Sequence, residues 1–302
     1  MVFAPMLAAY IAVKCGLWGK DGNRVLSTAV TYLLNPATVI TSAISGDRPL
    51  TNQQVFIVTA IAVACHLLLI GVSFLVPWIL GIKRDKRKVW RALFIFSNIG
   101  YFGMPVCKAL FGDSAAFLVA IFILPFQVLI FTYGILLIAE DGSKRKFTLK
   151  MLLHPMIIAC SVAYVLYLVN PSVPSIIKEP LAFIGQATSP IAMMVVGGTL
   201  AFASLRKVFF NWRLYLLAVL KMLAVPIGTL LVLRSILPIT ESTRLIIGVT
   251  VTIMSAPTAA ATTMVANLYG GDTDVTSSGV CLTTLFTVIS IPTMMMLLTR
   301  LL

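Results

Sequence analysis

Two stretches of this chain combine residue types that seldom share an apolar run. Ser97-Asn98-Ile99-Gly100-Tyr101-Phe102-Gly103-Met104-Pro105 sets an amide, two glycines and a proline inside the run 90–111. Met254-Ser255-Ala256-Pro257-Thr258-Ala259-Ala260-Ala261-Thr262-Thr263 sets hydroxyls and a proline inside the run 242–268. Glycine and proline each weaken the helical ladder. Backbone freed at membrane depth is tolerated only where protein or a wet cavity covers it. Both runs therefore read as helices broken near the midplane. The second half of a broken helix begins with free N–H groups and a dipole end worth about +0.5 charge. Half-helices starting near Gly100 and Thr258 would aim such donors into a cavity, where a carboxylate is the natural guest. Asn98 can donate and accept at once, Ser255, Thr258, Thr262, Thr263 and Gln127 offer neutral partners, and Tyr101 offers an apolar wall. The expected substrate-binding set is Asn98, Gly100, Tyr101, Pro105, Ser255, Pro257, Thr258, Thr262, Gln127 and, from a different run, Asn35. The expected ligand is a small organic anion.

The elements that would position these residues follow from composition. The chain is 59% hydrophobic and 11% charged, with a mean hydropathy of +1.01. Soluble domains average roughly 45–50% apolar and about 25% charged residues. That excess excludes a soluble enzyme, a disordered regulator and a nucleic-acid binder, although the net charge of +13 would invite the last. The ten acidic residues and most of the 23 basic ones fall in short breaks between apolar runs. This is the pattern of an all-α polytopic membrane protein. Ten runs approach the ~20 residues a helix needs to cross the hydrocarbon core: 2–15, 24–45, 55–81, 90–111, 115–138, 149–169, 178–203, 213–236, 242–268 and 273–299. The first is short, and it lacks the basic leader of a cleavable signal peptide. Lys and Arg concentrate in the breaks after runs 1, 3, 5 and 7, which places those loops in the cytoplasm and both termini outside the cell membrane.

The basic loop 139–148 divides the chain into residues 1–138 and 149–302, with five runs each. Five is odd, so a repeat relating the halves must be inverted in the membrane. Arg24 precedes Asn35-Pro36 by the interval that separates Lys178 from Ser189-Pro190. Asn98 precedes Gly112-Asp113 by the interval that separates Pro257 from Gly271-Asp272. Inverted repeats with broken helices supply alternating access to a midplane site.

Other chemistries find little support. The five cysteines are dispersed without a CxxC pair, and His66 and His154 have no ligand neighbour at metal spacing, so no metal, cofactor or disulfide framework is expected. Every Asp and Glu lies in a loop or at a run end, which disfavours ion coupling through a buried carboxylate. An intramembrane enzyme would need paired Asp, an activated Ser or a zinc motif; Ser97 with His66 is the remote candidate. Lys221, well inside the run 213–236, reads as a lysine snorkelling to the cytoplasmic side, with attraction of the anion as the other reading. Lys108 reads as interfacial, His66 as a packing histidine, and Gln186 as an interhelical hydrogen-bonding group. Pro77, Pro125, Pro226 and Pro292 read as kinks, and Gly197-Gly198 as close packing.

The chain resembles the auxin efflux carrier family, which spans plant carriers and bacterial malate permease-like proteins. The likeness rests on Ser97-Asn98-x-Gly100-x-x-Gly103-x-Pro105 followed by Phe111-Gly112-Asp113, on Asn35-Pro36, and on Ala256-Pro257 running to Leu268-Tyr269-Gly270. It implies a homodimeric secondary transporter of carboxylates, malate-like or auxin-like. In it, spans 1, 2, 6 and 7 form a scaffold, and spans 3–5 and 8–10 a transport unit whose broken helices 4 and 9 cross at the site. The long cytoplasmic loop of many plant members is absent here. A sodium-coupled organic-anion symporter of the bile-acid symporter type is the alternative.

Overall fold

The computed structural model describes residues 3–44, 50–139, 155–202 and 208–301. The expected basic loop 139–148 and the start of the run 149–169 fall almost wholly outside these residues, as do Arg206 and Lys207. Within them the chain is helical, and its β-type pairing is one isolated bridge between Ser97 and Thr258.

The first part of the chain gives α1 (Phe3–Lys14), α2 (Lys20–Ala29), α3 (Asn35–Ile44), α4 (Asn52–Ser73) and α5 (Val76–Ile79). Next come α6 (Arg87–Ile95), α7 (Met104–Phe111), α8 (Ala115–Leu129) and α9 (Ile135–Ile138). The second part gives α10 (Pro155–Val169), α11 (Ser175–Gln186), α12 (Thr188–Phe202), α13 (Trp212–Val219) and α14 (Val225–Ile236). It ends with α15 (Glu241–Met254), α16 (Ala260–Tyr269) and α17 (Thr273–Leu301).

Wide π-helical turns at Val30–Leu34, Ile99–Gly103, Ile130–Gly134 and Leu220–Ala224 interrupt the regular winding. Three of them are followed two residues on by a proline: Pro36, Pro105 and Pro226. A proline ring clashes with the carbonyl four residues before it and supplies no N–H. Widening the preceding turn moves that carbonyl aside, and i→i−5 bonds close it, as from Asn35 N–H to Val30 O and from Val225 N–H to Leu220 O. Pro226 thus ends a widened turn, whereas Pro125 and Pro292 lie inside α8 and α17. Such turns are frequent at functional sites.

Five helices are long and apolar enough to cross a bilayer: Asn52–Ile79, Ala115–Ile138, Ser175–Phe202, Trp212–Ile236 and Thr273–Leu301. Ala4–Lys14, Ile99–Phe111 and Pro155–Val169 are shorter apolar helices. The expected runs 90–111 and 242–268 do not appear among the long helices because each is divided, into α6 with the helix 99–111 and into α15 with α16. The run 24–45 extends back to Lys20, so its first turn carries charge.

The chain separates into two compact units. One comprises Met1–Thr59, Ile99–Gln127 and Lys150–Phe202, and the other Ala60–Asn98, Val128–Leu149 and Ala203–Leu302. In the first, α1 lies so close to α12 that a Cβ on Gly197 would overlap the Met6 carbonyl oxygen. Asn23 donates to Val195 O and to the Thr199 hydroxyl, joining α2 to α12. Thr38 donates to Gly185 O at 3.0 Å, joining α3 to the end of α11. Tyr167 stacks on Phe117 with ring centroids 3.9 Å apart, and its hydroxyl exchanges hydrogen bonds with the Leu50 backbone.

In the second unit, α17 packs on α6 where Gly279 meets Leu93, with 2.8 Å between the Leu93 methyl and the place of a Cβ. Arg213 donates to Leu80 O at 3.0 Å. Arg91 stacks over Phe74 and hydrogen-bonds to Ser73 and Tyr133. Arg213 lies at the start of α13 and Arg91 in the middle of α6.

Candidate functional site

In the second unit the two interrupted segments cross. Helix α6 stops at Ile95 and Phe96 turns extended; α15 stops at Met254, and Pro257 to Ala259 run extended before α16. Asn98 N–H donates to Pro257 O at 2.7 Å, and Ala259 N–H donates to Phe96 O at 2.9 Å. These two bonds bracket the Ser97–Thr258 bridge. Proline explains why the second segment opens: Pro257 offers no N–H to the α15 ladder, while its carbonyl remains a full acceptor. Ser97, Asn98, Ser255 and Thr258 are all buried.

The helix ends at this crossing are treated unequally. Carbonyls left over at the end of α6 need donors, and they have them. Lys221 Nζ donates to Leu93 O, Phe94 O and Phe96 O, each at 2.9 Å. The Thr258 hydroxyl also donates to Leu93 O, at 2.8 Å. At the start of α16, by contrast, the N-cap residue Ala259 has extended backbone and no side-chain cap to offer, and Thr262 N–H bonds to Ala259 O at 3.0 Å. Thr262 donates its hydroxyl to Ala259 O, and Ser255 donates its own to Val251 O. Thr258 N–H donates to the Thr283 hydroxyl at 3.0 Å. Thr258 is therefore a structural tie at the crossing as well as a predicted ligand residue. Ser97 Oγ and Thr263 Oγ1 are buried without a hydrogen-bond partner among the described residues.

Lys221 departs from the sequence expectation. It is fully buried and reaches the α6 carbonyls rather than the membrane edge. The π turn Leu220–Ala224 forced by Pro226 carries it. Among the described residues no carboxylate lies within ion-pair distance of it, the pairs there being Lys86–Asp272 and Lys108–Asp113.

In the first unit, Asn35, Gly100 and Tyr101 come together. Asn35 Nδ2 lies 3.5 Å from where a Cβ on Gly100 would stand, and Asn35 Oδ1 is buried without a partner among the described residues. The Tyr101 ring packs against Val30, Leu34, Ala192 and Val195. Its hydroxyl lies 2.9 Å from the Ser27 hydroxyl and also meets Thr31, which ties the π turn Ile99–Gly103 to α2. Pro105 is buried at the start of α7, and Gln127 is half-buried on α8.

Other expectations land differently. His66 Nδ1 meets Ala62 O within its own helix at 2.7 Å. Gln186 is exposed, because α11 turns its Gly185 face, rather than Gln186, to Thr38. Lys108 pairs with Asp113 at 2.9 Å. Asp272 pairs with Lys86 at 3.0 Å and caps α17 by accepting from Val275 N–H. Burial pushes the Asp272 carboxyl up, but the Val275 N–H and the Lys86 ammonium outweigh it and hold the group below its usual value. Lys86 is raised by its hydrogen bond to Asp272. Sequence reasoning missed Lys221 as a partner of α6 and Thr283 as a partner of Thr258. A lysine deep in an apolar run was the available signal for the first.

The long apolar helices mark a multi-pass membrane protein, and in the second unit two interrupted segments cross. Residues 1–148 and 143–295 each match the family model described as membrane transport protein. The chain belongs to that family, the auxin efflux carrier family. No curated protein matches the chain.

Proposed function

We propose that the protein is a secondary carrier of small organic anions, carboxylates above all, working by alternating access. The observation that carries this reading is the unequal treatment of helix ends at the crossing. The carbonyl end of α6 is closed by Lys221 and Thr258, while the amide end of α16 has no side-chain cap. A buried ammonium with no carboxylate near it among the described residues makes the surroundings positive, and amides at a helix start add to this. A negatively charged guest suits such a place; a cation does not.

In this reading the guest is held at the crossing in the second unit by Asn98, Ser255, Pro257, Thr258 and Thr262; Asn35, Gly100, Tyr101, Pro105 and Gln127, in the first unit, are proposed as substrate-binding residues in their own right. Ser97 and Thr263 join the residues at the crossing, since their hydroxyls are buried with donors to spare. The family model matching twice, over 1–148 and 143–295, supports two repeats of five spans inverted in the membrane. The family resemblance also supports a homodimer with a scaffold of spans 1, 2, 6 and 7. The excess of basic residues in the odd-numbered breaks supports a cell-membrane protein with both termini outside.

Uptake of radiolabelled carboxylates into proteoliposomes tests the assignment. Wild-type protein should accumulate at least one dicarboxylate or aromatic monocarboxylate. Asn98→Ala should lose most of that uptake while keeping its elution profile and unfolding temperature. Equal uptake by the variant removes Asn98 from the site, and indifference of the wild type to every organic anion removes the anion reading.

A further inference from the structure

The transport reading uses the charge of Lys221 but leaves the geometry of its contacts unexplained. Its Nζ has three acceptors, all main-chain carbonyl oxygens, all at 2.9 Å, on residues 93, 94 and 96. A lysine ammonium carries three N–H donors and no acceptor; a neutral amine would carry two donors and a lone pair. Three carbonyls around one nitrogen therefore match the charged form. A snorkelling side chain would spread toward water, but this one is fully buried. Two of the acceptors are also shared: Leu93 O with the Thr258 hydroxyl and Phe96 O with Ala259 N–H. The same carbonyls thus hold the lysine and help join the two crossing segments.

A ring of main-chain carbonyls at the negative end of a helix is the environment a small monovalent cation takes in membrane proteins. Here a covalently tethered cation occupies it. We propose that the Lys221 ammonium is a built-in cation, fixed in a carbonyl site where a free monocation would otherwise be needed to hold the helix crossing together. Removing the side chain should leave a vacant site for a small cation bearing N–H donors, such as ammonium or methylammonium. Lys221 is then a positioning residue: it holds α6 at the crossing and touches no substrate. The proposal concerns what closes the α6 end and does not depend on which solute is carried.

Substrate-free protein can test it, so its failure is separable from failure of the anion reading. Lys221→Ala would be produced in cells with and without methylammonium, and its accumulation in membranes and its unfolding temperature recorded. The expected result is a marked loss of both that methylammonium or ammonium restores in a saturable way, with a recovery of a few degrees. Choline, which has no N–H donor, should not restore it. Wild type should not respond to methylammonium, and Lys221→Met, whose side chain fills the space, should be destabilised without rescue. A Lys221→Ala protein that ignores methylammonium, or fails to accumulate with it, overturns the proposal. So does a Lys221→Met protein as stable as wild type.

Discussion

The backbone N–H of Asn98 donates to the carbonyl of Pro257 at 2.7 Å, so that two residues 159 positions apart share one hydrogen bond inside the second unit. Neither group could be offered by an intact helix, where each would bond four residues along its own chain. Pro257 is the residue that keeps its segment open. Pro257→Ala restores an N–H and lets residues 255–259 wind on from α15. Uptake should fall about tenfold or more, a barrier change of roughly 1.4 kcal/mol, with the unfolding temperature little changed. Proteoliposome uptake beside a thermal melt would check this; unchanged transport would mean that the opening at Pro257 is not used.

Close approach of α1 to α12 gives a packing prediction with its own control. Gly197 faces the Met6 carbonyl so closely that any Cβ would overlap backbone, while Gly228 faces open space. Gly197→Ala must push the helices apart and should cost about 1–3 kcal/mol, as overpacking does. Gly228→Ala gains helix propensity, about 0.5–1 kcal/mol. Thermal melts should therefore move in opposite directions for the same chemical change.

The Tyr101 hydroxyl meets Ser27 and Thr31. Tyr101→Phe keeps the ring against Val30 and Leu34 but strips these bonds. Loss of a hydrogen bond of this kind costs about 0.5–1.5 kcal/mol, so the unfolding temperature should drop by a few degrees. Ser27→Ala added to Tyr101→Phe should cost less than the sum of the two single changes, because they delete the same contact.

The Lys86–Asp272 pair sets a pH response at the start of α17. Asp272 is held below its usual value, chiefly by Val275 N–H and Lys86 against the opposing push of burial. A depressed carboxyl contributes stability above its unfolded-state pKa and loses it as pH falls through the folded value. Lys86 is raised, so its share is present below the unfolded lysine pKa and lost only as pH rises through the folded one. Stability from this pair should be flat from about pH 5 to 9 and fall on the acid side below about pH 4. Asp272→Asn should lower the plateau slightly and flatten the acid limb, as read by melts across pH. The effect stays small because the pair is partly exposed and screened by solvent.

Much of this arrangement was legible before any coordinates. Apolar runs mark the helices, and the Gly-Pro cluster at 98–105 and the proline among hydroxyls at 255–263 mark where α6 and α15 stop, because both signals are local. The partner of Lys221 was not legible. A lysine in an apolar run snorkels or is capped according to carbonyls on another segment more than 120 residues away, and periodicity carries no record of that. Gln186 misled for the same reason: whether an amide faces a neighbouring helix depends on a rotation that Gly185 settles by its contact with Thr38. Gly270 takes the left-handed conformation that ends α16, and its neighbour Gly271 lies against the Ile138 carbonyl oxygen. Adjacent glycines do not say which of the two turns the chain.

Buried polar atoms without partners offer the sharpest separation of stability from function. The Ser97 and Thr263 hydroxyls, which can donate to an anion, are both in that state among the described residues. A buried polar group that makes no hydrogen bond costs free energy, so replacing it by an apolar group of similar size is neutral or stabilising. If these atoms serve a bound guest, the same replacement must weaken binding. Ser97→Ala and Thr263→Val should each leave the unfolding temperature unchanged or raise it, while the concentration for half-maximal uptake rises several-fold. Competition by unlabelled carboxylate, measured on each variant beside its melt, separates the two effects. Variants more stable than wild type yet unchanged in affinity would show that these atoms never meet the transported anion.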